Sequence, residues 1–334
     1  MRAASRVSSI LLFAATLLFA GVLSAQPALD GAGGDALASN PRPGDSQRPA
    51  SADSIGDPQP AVSAATQANP DWNTLLMRCT FKIEGDGAQR IVYGTAFVLR
   101  DPIPGDPTGF RNVLVTARHV LASMVGNDAI LYMRAAGPAG SEMKIRHHVP
   151  IRRDGQPLWV GHPDPNVDVA ALVIPLPLDA DVPIVTTDAL ATDDALATFG
   201  IHPGDELFCL GYPYGTEANE AGYPILRSGK ISSYPIVPTS RYGSFLYDFA
   251  VYPGNSGGPA YFVQSDRALP DGTRSTQPIA FIAGVVVGER VKIEDAKTSG
   301  ESEAVSTLGL ARVVPSTFVR ETIRRLLLGR GELR

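Results

Sequence analysis

The sequence has 334 residues, 44% hydrophobic and 19% charged, enough apolar material for one large folded region or two lobes. A net charge of -5, an isoelectric point near 5.6 and scattered lysines and arginines provide no basic surface for a phosphate backbone, so nucleic acid is not an expected partner. The two cysteines, Cys79 and Cys209, exclude a disulfide-dense scaffold and leave two readings open: one long-range bridge in an oxidising compartment, or two buried thiols.

Residues 1–25 read as a signal peptide. Arg2 and Arg6 precede an apolar run from Ile10 to Leu23, and Leu23, Ser24 and Ala25 form a small-residue cleavage site. A membrane anchor would need roughly 20 apolar residues, and this run is shorter. Gln26, not a cysteine, follows the expected cut, which argues against lipid anchoring, and no later segment is apolar enough to span a bilayer. Export to a periplasm or beyond the cell is the expectation. Residues 26–70 are rich in Pro, Ala, Gly, Ser, Asp and Gln and contain no aromatic residue. Such a segment has too little apolar area to offset the entropy of ordering, so it reads as a disordered linker or a cleaved pro-segment.

Beyond Trp72 short runs of Val, Ile, Phe and Tyr alternate with Gly, Pro and Asp clusters, the pattern of many short strands. The expected strands are 80–84, 94–99, 112–116, 129–133, 158–160, 169–174, 206–211, 225–231, 245–251, 260–263, 279–287 and 308–313. They fall into two groups, 71–190 and 191–334, and predict an all-β architecture of two six-stranded barrels, since closure removes exposed edges. One helix is expected, Pro315 to Leu328, with Phe318, Val319, Ile323, Leu326 and Leu327 at helical spacing and Gly329 just past its end.

Chemistry centres on Tyr252–Pro259, YPGNSGGP, where three glycines surround Ser256. A serine hydroxyl needs a base to become a nucleophile. Of the five histidines, His119 ends the buried run VLVTARH, where a strand terminus holds a group rigidly yet leaves it exposed. His147 and His148 lie in a polar stretch that reads as a solvated face, without a cysteine or carboxylate at ligand spacing, so no metal is expected. His162 and His202 sit beside prolines and read as structural. Asp168 opens the apolar run DVAALVI, and a carboxylate there needs a partner, either the His119 ring or the backbone of a turn after Pro165 and Asn166.

TARHV, DVAAL and GNSGGP, in this order, resemble the chymotrypsin-like serine proteases. The flanking GTAFVL, LGYPYG, RSGKISSY and GLARVVPSTFV resemble more specifically the HtrA/Deg branch. The resemblance covers about residues 72–328. It implies two packed barrels with the site between them, no cofactor, protein or peptide substrates, and a triad of His119 as base, Asp168 as orienter and Ser256 as nucleophile. The amides of Gly254 and Ser256 would form the oxyanion hole.

Two departures limit the likeness. Asn255 stands where digestive relatives have an aspartate that pairs with a freed N-terminus. Arg90, Ile91 and Val92 look like the matching activation site but run straight into the GTAFVL strand, so no activating cleavage is expected. The chain also stops soon after its helix, so the PDZ domain that many HtrA proteins carry is not expected. The resemblance places Ala250 at the specificity-pocket floor and Gly284, Val285, Val286 and Val287 along its wall and substrate edge, which gives an apolar preference before the cut. The competing readings are a binding protein of the same fold that does not turn over, and an esterase, whose strand-turn-helix around the serine is missing.

Overall fold

The computed structural model describes residues 71–294 and 304–329, all within one compact unit, Ala64–Arg334. The expected signal peptide and linker lie outside the described residues.

Asp71 opens the ordered chain by capping α1 (Trp72–Cys79), its carboxylate accepting the amides of Asn73 and Thr74. Strands follow as β1 (Thr80–Asp86), β2 (Ile91–Ile103) and β3 (Asp106–Thr116). After the short α2 (Arg118–Ser123) come β4 (Asp128–Ala136), β5 (Glu142–Pro150), the ribbon β6 (Arg152–Arg153) and β7 (Gln156–Pro157), then β8 (Val160–Gly161) and β9 (Ala170–Val173). Seven of these strands form one antiparallel sheet in the order β5-β4-β1-β2-β3-β9-β8. Ile91 pairs with Asp86 at the start of β2, so the segment that resembles an activation site is built into the sheet.

The second half contains α3 (Asp193–Thr198), β10 (Glu206–Gly211), β11 (Ile225–Ile231), α4 (Thr239–Tyr242), β12 (Phe245–Asp248), β13 (Pro259–Gln264), β14 (Ile279–Glu294), β15 (Ala304–Pro315) and α5 (Ser316–Gly329). Its strands close into a six-stranded barrel, β10-β11-β12-β15-β14-β13. Leu207, Cys209, Tyr247, Phe262, Phe281, Val286 and Val313 belong to the core inside it. The larger core spans both halves: Phe81, Phe97, Leu114 and Leu131 share it with Ile282 and Val285 of the barrel and with Phe318, Val319, Ile323, Leu326 and Leu327 of α5.

The all-β expectation thus holds, with one closed barrel. The first half is a seven-stranded sheet with no recorded pairing between its outer strands β5 and β8. β5 occupies the stretch read as a solvated face, and the reason is its position: an outer strand, mostly exposed, still completes its ladder against β4 through Leu131↔His147 and Ile130↔His148. Among the described residues Cys79 and Cys209 are both free and buried, and burial pushes each thiol up to about 12. No helix among the described residues is long and apolar enough to cross a membrane.

Candidate catalytic site

Buried Val113, Leu114, Val115 and Thr116 carry β3 to its end, and the chain then turns into α2. His119 therefore lies in the first turn of a helix rather than on the strand terminus. Asp168 sits in the loop just ahead of β9, not in the strand itself, and the pairing Thr116↔Ala170 brings the two loops side by side. The Asp168 carboxylate makes two bonds to one residue: Oδ2 to His119 Nδ1 at 2.6 Å, and Oδ1 from the His119 backbone amide at 2.9 Å. Burial pushes the Asp168 carboxyl up, but the His119 ring bond and charge, the His119 amide and the charge of Arg312 outweigh it and hold the group below its ordinary value. With Nδ1 committed, a His119 side chain that is 45% exposed keeps Nε2 open.

Ser256 lies in the turn between β12 and β13. Asn255 organises this turn from within: its amide donates to the Tyr252 carbonyl at 3.0 Å, its side-chain Oδ1 accepts the Tyr252 amide at 2.9 Å, and its carbonyl accepts from Gly258 at 3.1 Å. The residue is fully buried. Gly254 (φ +98°) and Gly257 (φ +92°) occupy the left-handed region, and a Cβ at Gly254 would overlap the Tyr212 carbonyl oxygen. The amides of Gly254 and Ser256 donate to no acceptor among the described residues. These two open donors flank a third, that of Asn255, which is spoken for.

The Ser256 hydroxyl makes no hydrogen bond to His119 or to any other described residue. The two loops nevertheless meet across Gly94, where a Cβ would stand 2.8 Å from Val120 Cγ1 and 3.2 Å from the Ser256 carbonyl oxygen. Thr95, next in line on β2, joins the halves. Its amide donates to the Ser256 carbonyl at 2.9 Å, its hydroxyl donates to the Gly254 carbonyl at 2.7 Å and accepts the Tyr212 amide at 3.2 Å, and its own carbonyl accepts the Thr116 hydroxyl at 2.6 Å. Sequence reasoning missed this residue. The available signal was a threonine inside the apolar GTAFVL strand, since a buried hydroxyl requires partners.

Of the expected substrate edge, 284–287, all but the last residue are already paired on the β13 side. Gly284 and Val285 lie between two neighbours, pairing with Ala260 and Pro259 of β13 and with Pro315 and Val314 of β15. Val286 pairs with Val313, and its amide and carbonyl are taken by Gly258 and Gly257. Val285 and Val286 are fully buried core residues, so none of the three offers an edge. β13 begins at Pro259, which leaves β14 free on that side from Val287 onward, with Gly288 and Glu289 paired only to Arg312 and Ala311 of β15. Ala250 is half-buried, and its carbonyl accepts a hydrogen bond from Arg227 Nη1 at 2.5 Å.

The remaining histidines stand apart. His147 Nε2 faces the Pro175 carbonyl at 3.0 Å, and His162 Nε2 meets Glu321 Oε2 of α5 at 2.9 Å. His202 Nδ1 lies 2.9 Å from the Pro203 carbonyl. No group of three or more His, Cys, Asp or Glu among the described residues is arranged to hold a metal ion.

A family model described as trypsin-like peptidase domain matches residues 94–266, a span that includes His119, Asp168 and Ser256. Similar solved structures include the serine endoprotease from Yersinia pestis, at 15% identity over 78% of this chain and 68% of that one, with a TM-score of 0.41. The thermostable serine protease AL20 from an extremophilic microorganism is 10% identical over 74% of this chain and 95% of its own, with a TM-score of 0.41. Protease Anisep from Arthrobacter nicotinovorans is 13% identical over 75% and 96%, with a TM-score of 0.39. No curated protein sequence matches this chain.

Proposed function

This chain belongs to the trypsin-like peptidase domain family and is a serine protease, and from that premise we propose that it is an exported endopeptidase that hydrolyses peptide bonds through an acyl-enzyme on Ser256. The observation that carries the reading is the double hold of Asp168 on His119, through ring and backbone, which fixes the imidazole with Nε2 open.

Ser256 Oγ attacks the scissile carbonyl carbon while His119 Nε2 takes its proton, and the Asp168 carboxylate, remaining ionised, stabilises the imidazolium. The carbonyl oxygen, now negative, is met by the amides of Gly254 and Ser256, donors that the fold leaves unspent. The tetrahedral species collapses as Nε2 returns the proton to the leaving amine, giving the acyl-enzyme. Water, deprotonated by the same nitrogen, then releases the acid and restores the serine. The substrate main chain adds as a strand along β14 from Val287, the first position where that strand lacks a partner on the β13 side.

A fluorophosphonate tests the nucleophile on the full chain. Labelling should map to Ser256 and vanish in Ser256→Ala; absence of labelling in the wild type would sink the mechanism. Export is tested by the N-terminal sequence of protein recovered outside the cytoplasm, which should begin at Gln26.

A further inference from the structure

Arg227 lies on β11 directly opposite Cys209 of β10. Paired residues of neighbouring strands face the same side, and Cys209 lines the barrel interior, so the arginine points into the barrel with it. The guanidinium is half-buried and tightly placed. Nη1 donates to the Ala250 carbonyl at 2.5 Å, and Cζ stands 4.8 Å from the centre of the Phe249 ring and 5.2 Å from that of Tyr252. Tyr252 in turn packs on Tyr214 at 5.3 Å. No carboxylate among the described residues forms an ion pair with this arginine. Guanidinium carries five N–H donors, and here Nε and Nη2 are neither hydrogen-bonded nor sealed from solvent.

The segment Phe249–Asn255 crosses from the end of β12 to the serine turn, so Ala250 and Tyr252 form one lip of the site just ahead of Ser256. The free edge of β14 from Val287 forms the other. A peptide paired to that edge, with its scissile carbonyl at Ser256, directs the side chain before the cut between the two lips, toward the mouth where Arg227 is anchored. A neutral side chain there leaves a partly desolvated cation without a counter-charge, whereas a carboxylate supplies the charge-assisted, forked bond for which guanidinium is shaped. The apolar expectation weighed only Ala250 and β14; Arg227 arrives from a strand well before them in the chain.

We propose that Arg227 is a specificity-determining residue and that this protease cleaves after acidic side chains. The inference rests on the protease reading, and the test separates the two. Peptidyl diphenyl phosphonates ending in Glu or in the isosteric Gln are reacted with the full chain, and the labelling rate of Ser256 is compared with that of a small fluorophosphonate. The Glu probe should label the wild type about 10 to 100 times faster than the Gln probe, as a bond to a charged group predicts. Arg227→Gln, which keeps a donor for the Ala250 carbonyl, should bring the ratio near unity, while Arg227→Lys should retain a Glu preference. Equal wild-type rates, or a ratio unmoved in Arg227→Gln, would overturn the proposal while leaving the protease intact. If Arg227→Gln fails to fold, the wild-type and Arg227→Lys ratios decide. No reaction even with the small fluorophosphonate would mean that the protease reading itself fails.

Discussion

Asp168 acts on His119 as a clamp with two jaws, one on the ring and one on the main chain. Asp168→Asn keeps the shape but offers an amide to Nδ1, so the ring settles in the wrong tautomer; kcat should fall by about 10⁴, measured on a peptide substrate. The same substitution has a pH signature. The folded carboxyl lies below its reference value of 3.8, so its ionised form stabilises the fold above that pH and the contribution fades as pH drops through the folded value. Melting curves of wild type and variant should converge under strong acid, and a gap that persists there would point to another origin. His119, Asp168 and Ser256 were legible in the sequence because each breaks its local pattern: a histidine ending an apolar run, a carboxylate opening one, a serine among glycines. Arg227 breaks no such rule, and Thr95, a threonine inside the apolar GTAFVL run, signals only that its hydroxyl needs partners. Their roles come from what the fold sets beside them, the Gly254 and Ser256 carbonyls for one and the Ala250 carbonyl for the other.

The serine turn is held by geometry that only glycine tolerates at Gly254, with φ +98° and the Tyr212 carbonyl where a Cβ would go. Gly254→Ala should push the turn away and misdirect one oxyanion donor, lowering kcat by about 10² to 10³ with a smaller change in KM; unchanged kcat would remove Gly254 from the mechanism. Elements were legible to the extent that they repeat. The helix expected at 315–328 is found at Ser316–Gly329 because five apolar residues recur at helical spacing. α1 and α2, with eight and six residues, are too short to show a period, and local caps and the turn after β3 produce them. A short apolar run revealed β14 as a strand but not where its neighbour begins, so the expected edge of 284–287 began three residues too early.

Besides the core inside the barrel, the two halves share a larger one. α5, at the far end of the described chain, contributes Phe318, Val319, Ile323, Leu326 and Leu327 to the core built on β1 to β4, and Ser316 Oγ donates to the Ile282 carbonyl at 2.6 Å on the barrel side. Burying a large apolar side chain stabilises by about 1.5 to 3 kcal/mol, so five of them rival the whole stability of an ordinary domain. A chain ended at Pro315 should therefore fail to fold in its first half as well as its second, seen as loss of a cooperative melt and of protection from added protease; a cooperative transition would show that the halves stand alone. The sequence divided the strands near residue 190 but gave no sign of this sharing, because hydrophobic spacing marks a buried face without naming what covers it.

The shared core also orders events in time. A ribosome releases Thr95 and the proposed triad of His119, Asp168 and Ser256 well before the last turns of α5, so a growing chain holds these groups while the scaffold that aligns them is still missing its final wedge. On the proposed mechanism, a chain stalled before α5 carries its serine in an unaligned site, and cleavage of other proteins should begin only once α5 has docked.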